Sequence, residues 1–350
     1  MREGVTPVDI DGARGEGGGQ ILRTSLALSM VTGRPLVMRN IRAGRAKPGL
    51  RRQHLACVEA AAALCNATVH GAAVSSKYIE FTPRTFEDKE LVIDIGTAGS
   101  TTLLLQTVLV PAIAAGRTLR VTVRGGTHNP MAPPFEFLDR VFLPHLRAMG
   151  ADVTLTLDKH GFATGDLEKA ARDRGQLTLE VRPSTLTPIE LLDAAPITTR
   201  LATVMLARLP THVADRELAV VEERLGWGRP EQRVRDVSGE GGPANVLMLE
   251  VERADGAREL VTSFGERGVR AELVASRACD ELQAYLAADV PVGEHLADQL
   301  LLPMALAGRG AFRASPLSGH ATTNIETIGH FLDVPIRVDE DARSAVVRVG

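Results

Sequence analysis

The sequence predicts a mixed α/β (α+β) protein, in which a larger domain of three similar repeats carries a smaller inserted α/β domain. Three observations predict this fold. Short strands alternate with helical segments, one register of residues occurs three times, and roughly a hundred residues are extra between the second and third occurrences. A chain of 350 residues is long enough for two hydrophobic cores.

The repeat is visible as a common spacing between a polar residue and a Gly-Arg pair. The polar residue stands 10 positions before the glycine in each copy: Arg23 before Gly33, Gln106 before Gly116, and Asp298 before Gly308. In the first two copies an aspartate, Asp11 or Asp94, stands 12 positions earlier still. We therefore expect the three copies to fold alike.

Each copy is predicted to be a βαβα unit with an extra strand. Strands are expected at 8–11, 36–39, 92–94, 119–123 and 334–338, and second helices at 50–65, 135–149 and 322–332. The first helix of each copy ends near its Gly-Arg pair. The polar residues of the register thus lie early in three helices, and helix N-termini around a common centre would form an anion site.

The inserted domain is predicted from a difference in spacing. The second and third Gly-Arg pairs are 192 residues apart, whereas the first and second are 83 apart. The extra segment contains a helical stretch at 213–225 and two strands, 246–252 and 259–262, joined across Asp255-Gly256, which is a strong hairpin signal. We expect the repeat-built domain at 1–182 and 276–350, and the inserted domain at 183–275.

Composition limits the cellular setting and the kind of partner. The net charge of -3 gives no overall attraction to nucleic acid, so any polyanion needs a local basic patch. The three cysteines, Cys57, Cys65 and Cys279, lack metal-ligand spacing and are interpreted as buried thiols in a reducing cytoplasm. No secretion signal or membrane span is expected. The oligomeric state is not indicated.

A glycine-rich loop follows the first strand, at 12–19, and leads into a helix. Backbone N–H groups in this setting can surround phosphates, although the loop is neither a Walker A sequence nor a GxGxxG motif. A plain turn is the alternative, but a turn has little use for Arg14 and Glu16. The carboxylate of Glu16 suggests a divalent metal that carries phosphate charge.

A basic segment without acidic residues runs from 38 to 54. Its charged or titratable members are Arg39, Arg42, Arg45, Lys47, Arg51, Arg52 and His54. A solvated surface is the alternative, but surfaces usually mix both signs of charge. We interpret the segment as a phosphate-binding loop, and RNA is favoured over a free nucleotide because the charges are widely spread.

The corresponding loops of the second and third copies are 125–134 and 318–324. Pro133 in the former offers an apolar plate for a base, or it merely starts a helix. His320 in the latter is expected in a loop before a helix, and a neutral imidazole there can attack phosphorus.

Four segments together resemble the RNA 3'-terminal phosphate cyclase family over nearly the whole chain. They are 15–23, 41–50, 295–299 and 319–324. The resemblance implies three βαβαββ units, like those of enolpyruvyl transferases, and an inserted smaller domain. It also implies ATP as co-substrate, Mg²⁺ or Mn²⁺, and an RNA that ends in a 3'-phosphate.

The resemblance further implies roles for single residues. His320 is expected to become covalently linked to AMP, and Glu16 to hold the metal. The positions expected to contact ATP are Gln106, Pro133, Arg23, His295, Leu296, Ala297, Asp298 and Gln299. The positions expected to contact the RNA phosphate end are Arg42, Arg45, Gln53 and His54.

The sequence departs from the family pattern at two places. After His160-Gly161-Phe162 the chain continues with Ala163, where family members have Tyr-Pro and a glycine tract, and His295 stands where an aromatic residue is frequent. Two alternatives share the fold: a non-catalytic cyclase-like protein of ribosome assembly, which lacks the histidine, and an enolpyruvyl transferase-like enzyme, which forms no protein-AMP adduct.

Overall fold

The computed structural model describes residues 6–15, 17–162 and 173–350. Its strands are β1 (Val8–Asp11), β2 (Leu36–Arg39), β3 (Thr68–His70), β4 (Ile79–Thr82), β5 (Lys89–Asp94), β6 (Leu119–Gly125), β7 (Asp152–Lys159), β8 (Gly175–Arg182), β9 (Glu190–Leu191), β10 (Ile197–Ala207), β11 (Gln232–Asp236), β12 (Ala244–Arg253), β13 (Arg258–Phe264), β14 (Gly310–Ala314), β15 (Ile336–Glu340) and β16 (Ala345–Val349). Its α-helices are α1 (Gly19–Thr32), α2 (Arg52–Cys65), α3 (Thr101–Ala114), α4 (Phe135–Phe137), α5 (Leu143–Ala148), α6 (His212–Leu225), α7 (Ala271–Ala288), α8 (Glu294–Ala307) and α9 (Gly319–Phe331). A π-helical turn, Leu138–Phe142, joins α4 to α5.

Three of the four sheets in the described residues have the same strand order relative to the chain. They are β1-β2-β4-β3, β5-β6-β8-β7 and β9-β14-β16-β15. In each, the first two strands are parallel and the other pairs are antiparallel. A parallel pair needs a crossover connection, and α1, α3 and α8 lie in those three connections. The overall architecture is therefore mixed α/β, as the sequence predicts.

The fourth sheet has the order β11-β10-β12-β13 and lies wholly between β9 and α8 in the chain. Its strands β12 and β13 form the hairpin that Asp255-Gly256 predicts, with Glu252 paired to Arg258. Of the expected limits of the insertion, 183 lies between β8 and β9, and 275 lies within α7. Strand β9 pairs with β14, and helix α7 continues past 275 to Ala288.

Two groups of buried apolar side chains correspond to this division. The larger extends over the three similar sheets and their helices, from Val8 to Val349. The smaller lies between the fourth sheet and helices α6 and α7, and includes Trp227, Leu249 and Leu282. The other face of the fourth sheet packs on the larger group through side chains such as Met205 and Met248. The inserted segment thus has its own core and a second contact with the rest of the protein.

Local sequence explains where the helices begin and end. Helix α1 ends at Gly33, which adopts the left-handed conformation with φ of 70° and donates its N–H to the Ser29 carbonyl. Helix α3 begins at Ser100, whose hydroxyl accepts the Leu103 N–H. Ser318 caps α9 in the same way, so His320 is the second residue of that helix. The expectation that His320 lies in a loop before the helix is therefore wrong by one turn.

The three cysteines are buried and form no disulfide, as the sequence predicts. Among the described residues, no helix combines the length and the apolar composition that crossing a membrane requires.

Candidate active site

Helices α1, α3, α8 and α9 meet at one cavity. The polar or charged residues of its described lining are Gln20, Arg23, Thr24, Gln106, Asp298, Gln299 and Asn324. The register of the repeats placed one polar residue early in each of α1, α3 and α8. Arg23, Gln106 and Asp298, which this register relates, all line the cavity.

A chain of side-chain hydrogen bonds connects His320 to this cavity. His320 Nδ1 lies 2.7 Å from Gln20 Oε1, and Gln20 Nε2 donates to Asp298 Oδ1. Asn324 Nδ2 donates to the same Asp298 oxygen at 3.0 Å. Because a carboxylate accepts hydrogen bonds, the NH₂ group of Gln20 must face Asp298 and its oxygen must face His320.

This arrangement selects one tautomer of His320. Gln20 Oε1 is an acceptor, so the neutral imidazole carries its proton on Nδ1, and the lone pair is on Nε2. Asp298 acts through Gln20 on the orientation of the ring. The hydrogen bond to Gln20 thus fixes the orientation of the His320 ring and places its basic nitrogen at Nε2.

Burial dominates the electrostatics of the two charged residues in the cavity. It raises the pKa of Asp298, against the opposing influence of His320 and of the hydrogen bond from Asn324. It also lowers the pKa of the Arg23 guanidinium, although Asp298 partly compensates. Arg23 therefore presents a weakly hydrated positive charge to the cavity, which is suited to an anionic group.

Two buried acceptors in the cavity lack a partner within the described part of the chain. They are Gln299 Oε1 and Asn324 Oδ1. Buried polar atoms in native proteins are normally hydrogen-bonded, and the exceptions frequently face a ligand or an ordered water. Both atoms can accept hydrogen bonds from amino or hydroxyl groups of a bound molecule.

The glycine-rich loop and the basic segment approach each other at the start of α1. A Cβ placed on Gly19 would come within 2.5 Å of His54 Nε2 and 2.9 Å of Arg23 Nη1, and one on Gly18 within 3.1 Å of Arg45 Nη2. A side chain at either position would require His54, Arg23 or Arg45 to shift. The predicted residues Arg23, Arg45 and His54 are thus brought together beside the loop.

His54 is a neutral hydrogen-bonding group in this setting. Burial, together with the charges of Arg42, Arg23 and Arg51, lowers the pKa of His54 to about 3. Its Nδ1 accepts the Arg51 N–H at 3.2 Å, so the ring proton is on Nε2, the atom that faces the glycine-rich loop. His54 can therefore donate a hydrogen bond to an anion there.

The family of the chain follows from its similarity to known proteins. A family model described as RNA 3'-terminal phosphate cyclase matches residues 14–338. The chain belongs to this family. A protein of Ectopseudomonas mendocina named RNA 3'-terminal phosphate cyclase is 45% identical over 98% of this chain and 97% of its own length. Proteins of the same name from Koribacter versatilis and Salmonella agona are 43% and 44% identical.

Two other residues that the cyclase resemblance marks, Arg42 and Gln53, form hydrogen bonds with backbone groups. Arg42 Nη1 donates to the carbonyls of Lys47 and Gly49, at 2.8 and 2.9 Å, so this guanidinium stabilises its own loop. Gln53 Oε1 accepts the N–H of Ser100, the residue that caps α3, at 2.9 Å. Both side chains organise the elements around the cavity.

Within helix α8, the residues expected to contact ATP divide into two groups. Asp298 and Gln299 line the cavity, whereas Leu296 and Ala297 are fully buried in the larger core. His295 lies in a second cavity, beside Glu281 and Ser315. Its Nε2 is 3.5 Å from Glu281 Oε1, and this interaction raises the pKa of His295.

Pro133 lies outside the described lining of the cavity. Its carbonyl accepts the Thr102 hydroxyl of α3 at 2.7 Å, which connects the loop 125–134 to the start of that helix. On the other side, the Thr127 N–H donates to the Gly161 carbonyl at 2.8 Å. The loop is therefore attached to the helix that contributes Gln106.

The metal that the cyclase family implies can be tested only in part. Glu16, the expected ligand, lies outside the described residues, and so does the departure from the family pattern that begins at Ala163. Within 6–15, 17–162 and 173–350, no group of three or more His, Cys, Asp or Glu side chains is arranged to hold a metal ion. The described residues thus do not by themselves form a metal centre.

Sequence reasoning assigned no role to Gln20 or Asn324, which the structure places beside His320 and Asp298. Both residues are part of segments that carry the family resemblance, 15–23 and 319–324. A signal was therefore present, but the Gln20–His320 contact joins residues 300 positions apart and the Asn324–Asp298 contact residues 26 positions apart, which no local pattern reveals.

Proposed function

We propose that the chain is an ATP-dependent RNA 3'-terminal phosphate cyclase, which converts an RNA 3'-phosphate to a 2',3'-cyclic phosphate. The observation that carries the proposal is the His320–Gln20–Asp298 chain, which ends at a polar cavity between helices α1, α3, α8 and α9. It supplies an oriented nucleophile next to polar side chains that can bind a nucleotide. Membership of the cyclase family, with relatives of that name over nearly the full chain, supports the same activity.

In the first step, His320 Nε2 attacks the α-phosphorus of ATP. A P–N bond forms, the bond from the α-phosphorus to the bridging oxygen breaks, and pyrophosphate leaves with the electron pair. Gln20 keeps the Nδ1 proton in place, so the positive charge that develops on the ring is shared with the Gln20–Asp298 pair. Asp298 stabilises that charge without touching the reacting atoms.

In the second step, an oxygen of the RNA 3'-phosphate attacks the same phosphorus, and the P–N bond to His320 breaks. In the third step, the oxygen of the neighbouring 2'-hydroxyl attacks the activated 3'-phosphate and its proton passes to solvent. AMP leaves with the electron pair of the broken P–O bond, and the cyclic ester is formed. Both steps require alignment of two phosphates rather than new protein chemistry. The position of Arg45, Arg23 and His54 around the glycine-rich loop suits this task.

For ATP, the proposed contacts in the cavity are Gln106, Asp298 and Gln299. The family resemblance adds Pro133 and His295, which lie outside the described lining of this cavity. The buried acceptors Gln299 Oε1 and Asn324 Oδ1 match donors such as an amino group or a ribose hydroxyl. The metal assignment to Glu16 stays a prediction from the family, and Mg²⁺ or Mn²⁺ would supply charge neutralisation on the phosphates.

We also propose that each of the three similar sheets, with its two helical segments, is one repeat. The identical strand order and the equivalent positions of α1, α3 and α8 support it. The inserted domain is then best placed at about 193–291, between β9 and α8, because the smaller core extends to Val290. The free buried cysteines agree with a reducing cytoplasm.

The test is covalent labelling by ATP that carries the label on its α-phosphate. Wild-type protein should form an acid-labile adduct, and His320→Ala should abolish both the adduct and cyclisation of an RNA 3'-phosphate. His330→Ala is the matched control, because His330 is an exposed histidine on the same helix. It should label like the wild type.

Two outcomes would contradict the proposal. An adduct in folded His320→Ala places the nucleophile elsewhere. A wild-type protein that forms no adduct with either metal favours the non-catalytic alternative.

A further inference from the structure

The inserted domain contacts the N-terminus of α8 through one buried carboxylate. Glu259 lies on β13 and is only 4% exposed. Its Oε2 accepts the N–H of Gly293 at 3.1 Å, and Gly293 is the N-cap residue of α8. A carboxylate at this place interacts favourably with the helix dipole and accepts a buried N–H that would otherwise lack this partner.

Gly293 is required at this contact for its small size. Its φ of -77° is accessible to any residue, so backbone conformation does not demand glycine. A Cβ at this position would collide with Glu259 Oε2. The chain therefore has glycine where the carboxylate of the inserted domain must approach the backbone closely.

A second buried residue makes the connection between the two domains rigid. Arg253 on β12 is 4% exposed and donates to the carbonyls of Ala195, at 2.5 Å, and Val290, at 2.9 Å. Ala195 and Val290 lie on the two chain segments that lead into and out of the inserted domain. Arg253 also donates to the hydroxyl of Tyr285 at 3.1 Å. The fourth sheet is thus attached next to the start of α8.

Helix α8 connects this contact with the candidate active site. Asp298 follows Gly293 by little more than one helical turn, and it orients Gln20, which in turn orients His320. Gln299 on the same turn lines the cavity. A change of the first turn of α8 would therefore move groups on which both ATP binding and the tautomer of His320 depend.

We propose that Glu259 is a positioning residue for adenylylation, through which the inserted domain sets the first turn of α8. This inference rests on the proposed function, since it assigns Asp298 and Gln299 to the ATP site. It gives the inserted domain a role in the reaction that family membership alone does not indicate.

The experiment compares Glu259→Ala, Glu259→Gln, Gly293→Ala and the double variant Gly293→Ala/Glu259→Ala. Glu252→Ala is the matched control, because Glu252 is a partly exposed glutamate of the same hairpin that pairs with Arg258, away from α8. The measurements are the Kd for α,β-methylene ATP, the KM for ATP in self-adenylylation, and the melting temperature of each variant.

Glu259→Ala and Gly293→Ala should each raise the Kd and the KM about tenfold, because both remove the same buried hydrogen bond. The Kd and the KM of the double variant should be no higher than those of either single variant, since both substitutions remove the same Glu259–Gly293 interaction. Glu259→Gln keeps an acceptor for the Gly293 N–H and should stay within about threefold of the wild type. Glu252→Ala should be unchanged.

Several results would overturn the inference. They are a lower melting temperature with unchanged Kd and KM, additive effects in the double variant, and a Kd for Glu259→Gln as poor as that for Glu259→Ala. Failure of the proposed function has a different signature. A wild type that binds α,β-methylene ATP but forms no adduct refutes the cyclase chemistry and leaves the Kd comparison valid, whereas a wild type that does not bind it refutes both.

Discussion

Replacement of Gln20 by methionine tests the chemistry of the site most directly. Methionine has nearly the same length and volume as glutamine but neither donates nor accepts a strong hydrogen bond. The variant therefore removes the acceptor 2.7 Å from His320 Nδ1 and the donor to Asp298 Oδ1, while the packing of α1 is kept. Gln20 is only 8% exposed, so water has little access to replace it.

The expected loss follows from these two hydrogen bonds. One joins neutral groups in the ground state, and the other involves a carboxylate, for which the net contribution is about 1.5–3 kcal/mol. Charge that develops on the imidazole during attack strengthens both, so most of the loss should appear in the rate. The bond to the carboxylate alone, at about 1.5–3 kcal/mol, corresponds to about 10–150-fold slower self-adenylylation.

The assay is the single-turnover rate of adduct formation at saturating, α-labelled ATP. Gln283→Met is the control. It makes the same substitution on α7 of the inserted domain, at a partly buried glutamine whose side chain forms hydrogen bonds with Arg224. Gln20→Glu should be intermediate, because its carboxylate accepts the Nδ1 proton but must share a proton with Asp298. A folded Gln20→Met protein with an adduct rate within about threefold of the wild type would refute the proposed orientation of His320.

Two further predictions concern buried charge and the basic loop. Burial raises the pKa of Glu217 to about 7 from 4.5, so its contribution to stability, about 3 kcal/mol, is present below pH 4.5 and is lost as pH rises through 7. Glu217→Gln should abolish this dependence of stability on pH. The variant should also melt above the wild type at pH 8, since an amide can also donate to Asn245. An unchanged melting curve would contradict this. Arg45→Ala should lower the salt slope of RNA 3'-phosphate binding by about one while the adduct still forms, whereas exposed Arg337→Ala should not. Equal slopes for the two variants would exclude Arg45 from the RNA site.

Local patterns predicted most of the elements that position the site. The strands 36–39 and the helices near 50–65 and 322–332 have the expected limits within a few residues, because apolar periodicity and glycine at helix ends act over short stretches of chain. The Asp255-Gly256 hairpin is found for the same reason. Local signals were less exact for His320, where the Ser318 cap begins the helix one residue before the histidine.

The common spacing of Arg23, Gln106 and Asp298 relates residues that are far apart in the sequence. These three residues, which are far apart in sequence but share one register, line one cavity. The register did not predict which residues of α8 line the cavity and which are buried in the core. Leu296 and Ala297 belong to the same motif as Asp298, but helical geometry directs them into the core.

The sequence by itself determined the fold class, the family, the nucleophile candidate and the basic loop, since residue type and short-range spacing carry that information. Only the tertiary structure decided what each side chain contacts. No spacing in the sequence indicated three of these contacts. They are the hydrogen bond between Gln20 and His320, the bond of Glu259 to the start of α8, and the bonds of Arg42 within its own loop. Such contacts depend on how whole elements pack, because buried polar groups take whichever partners the packed fold brings within hydrogen-bonding distance.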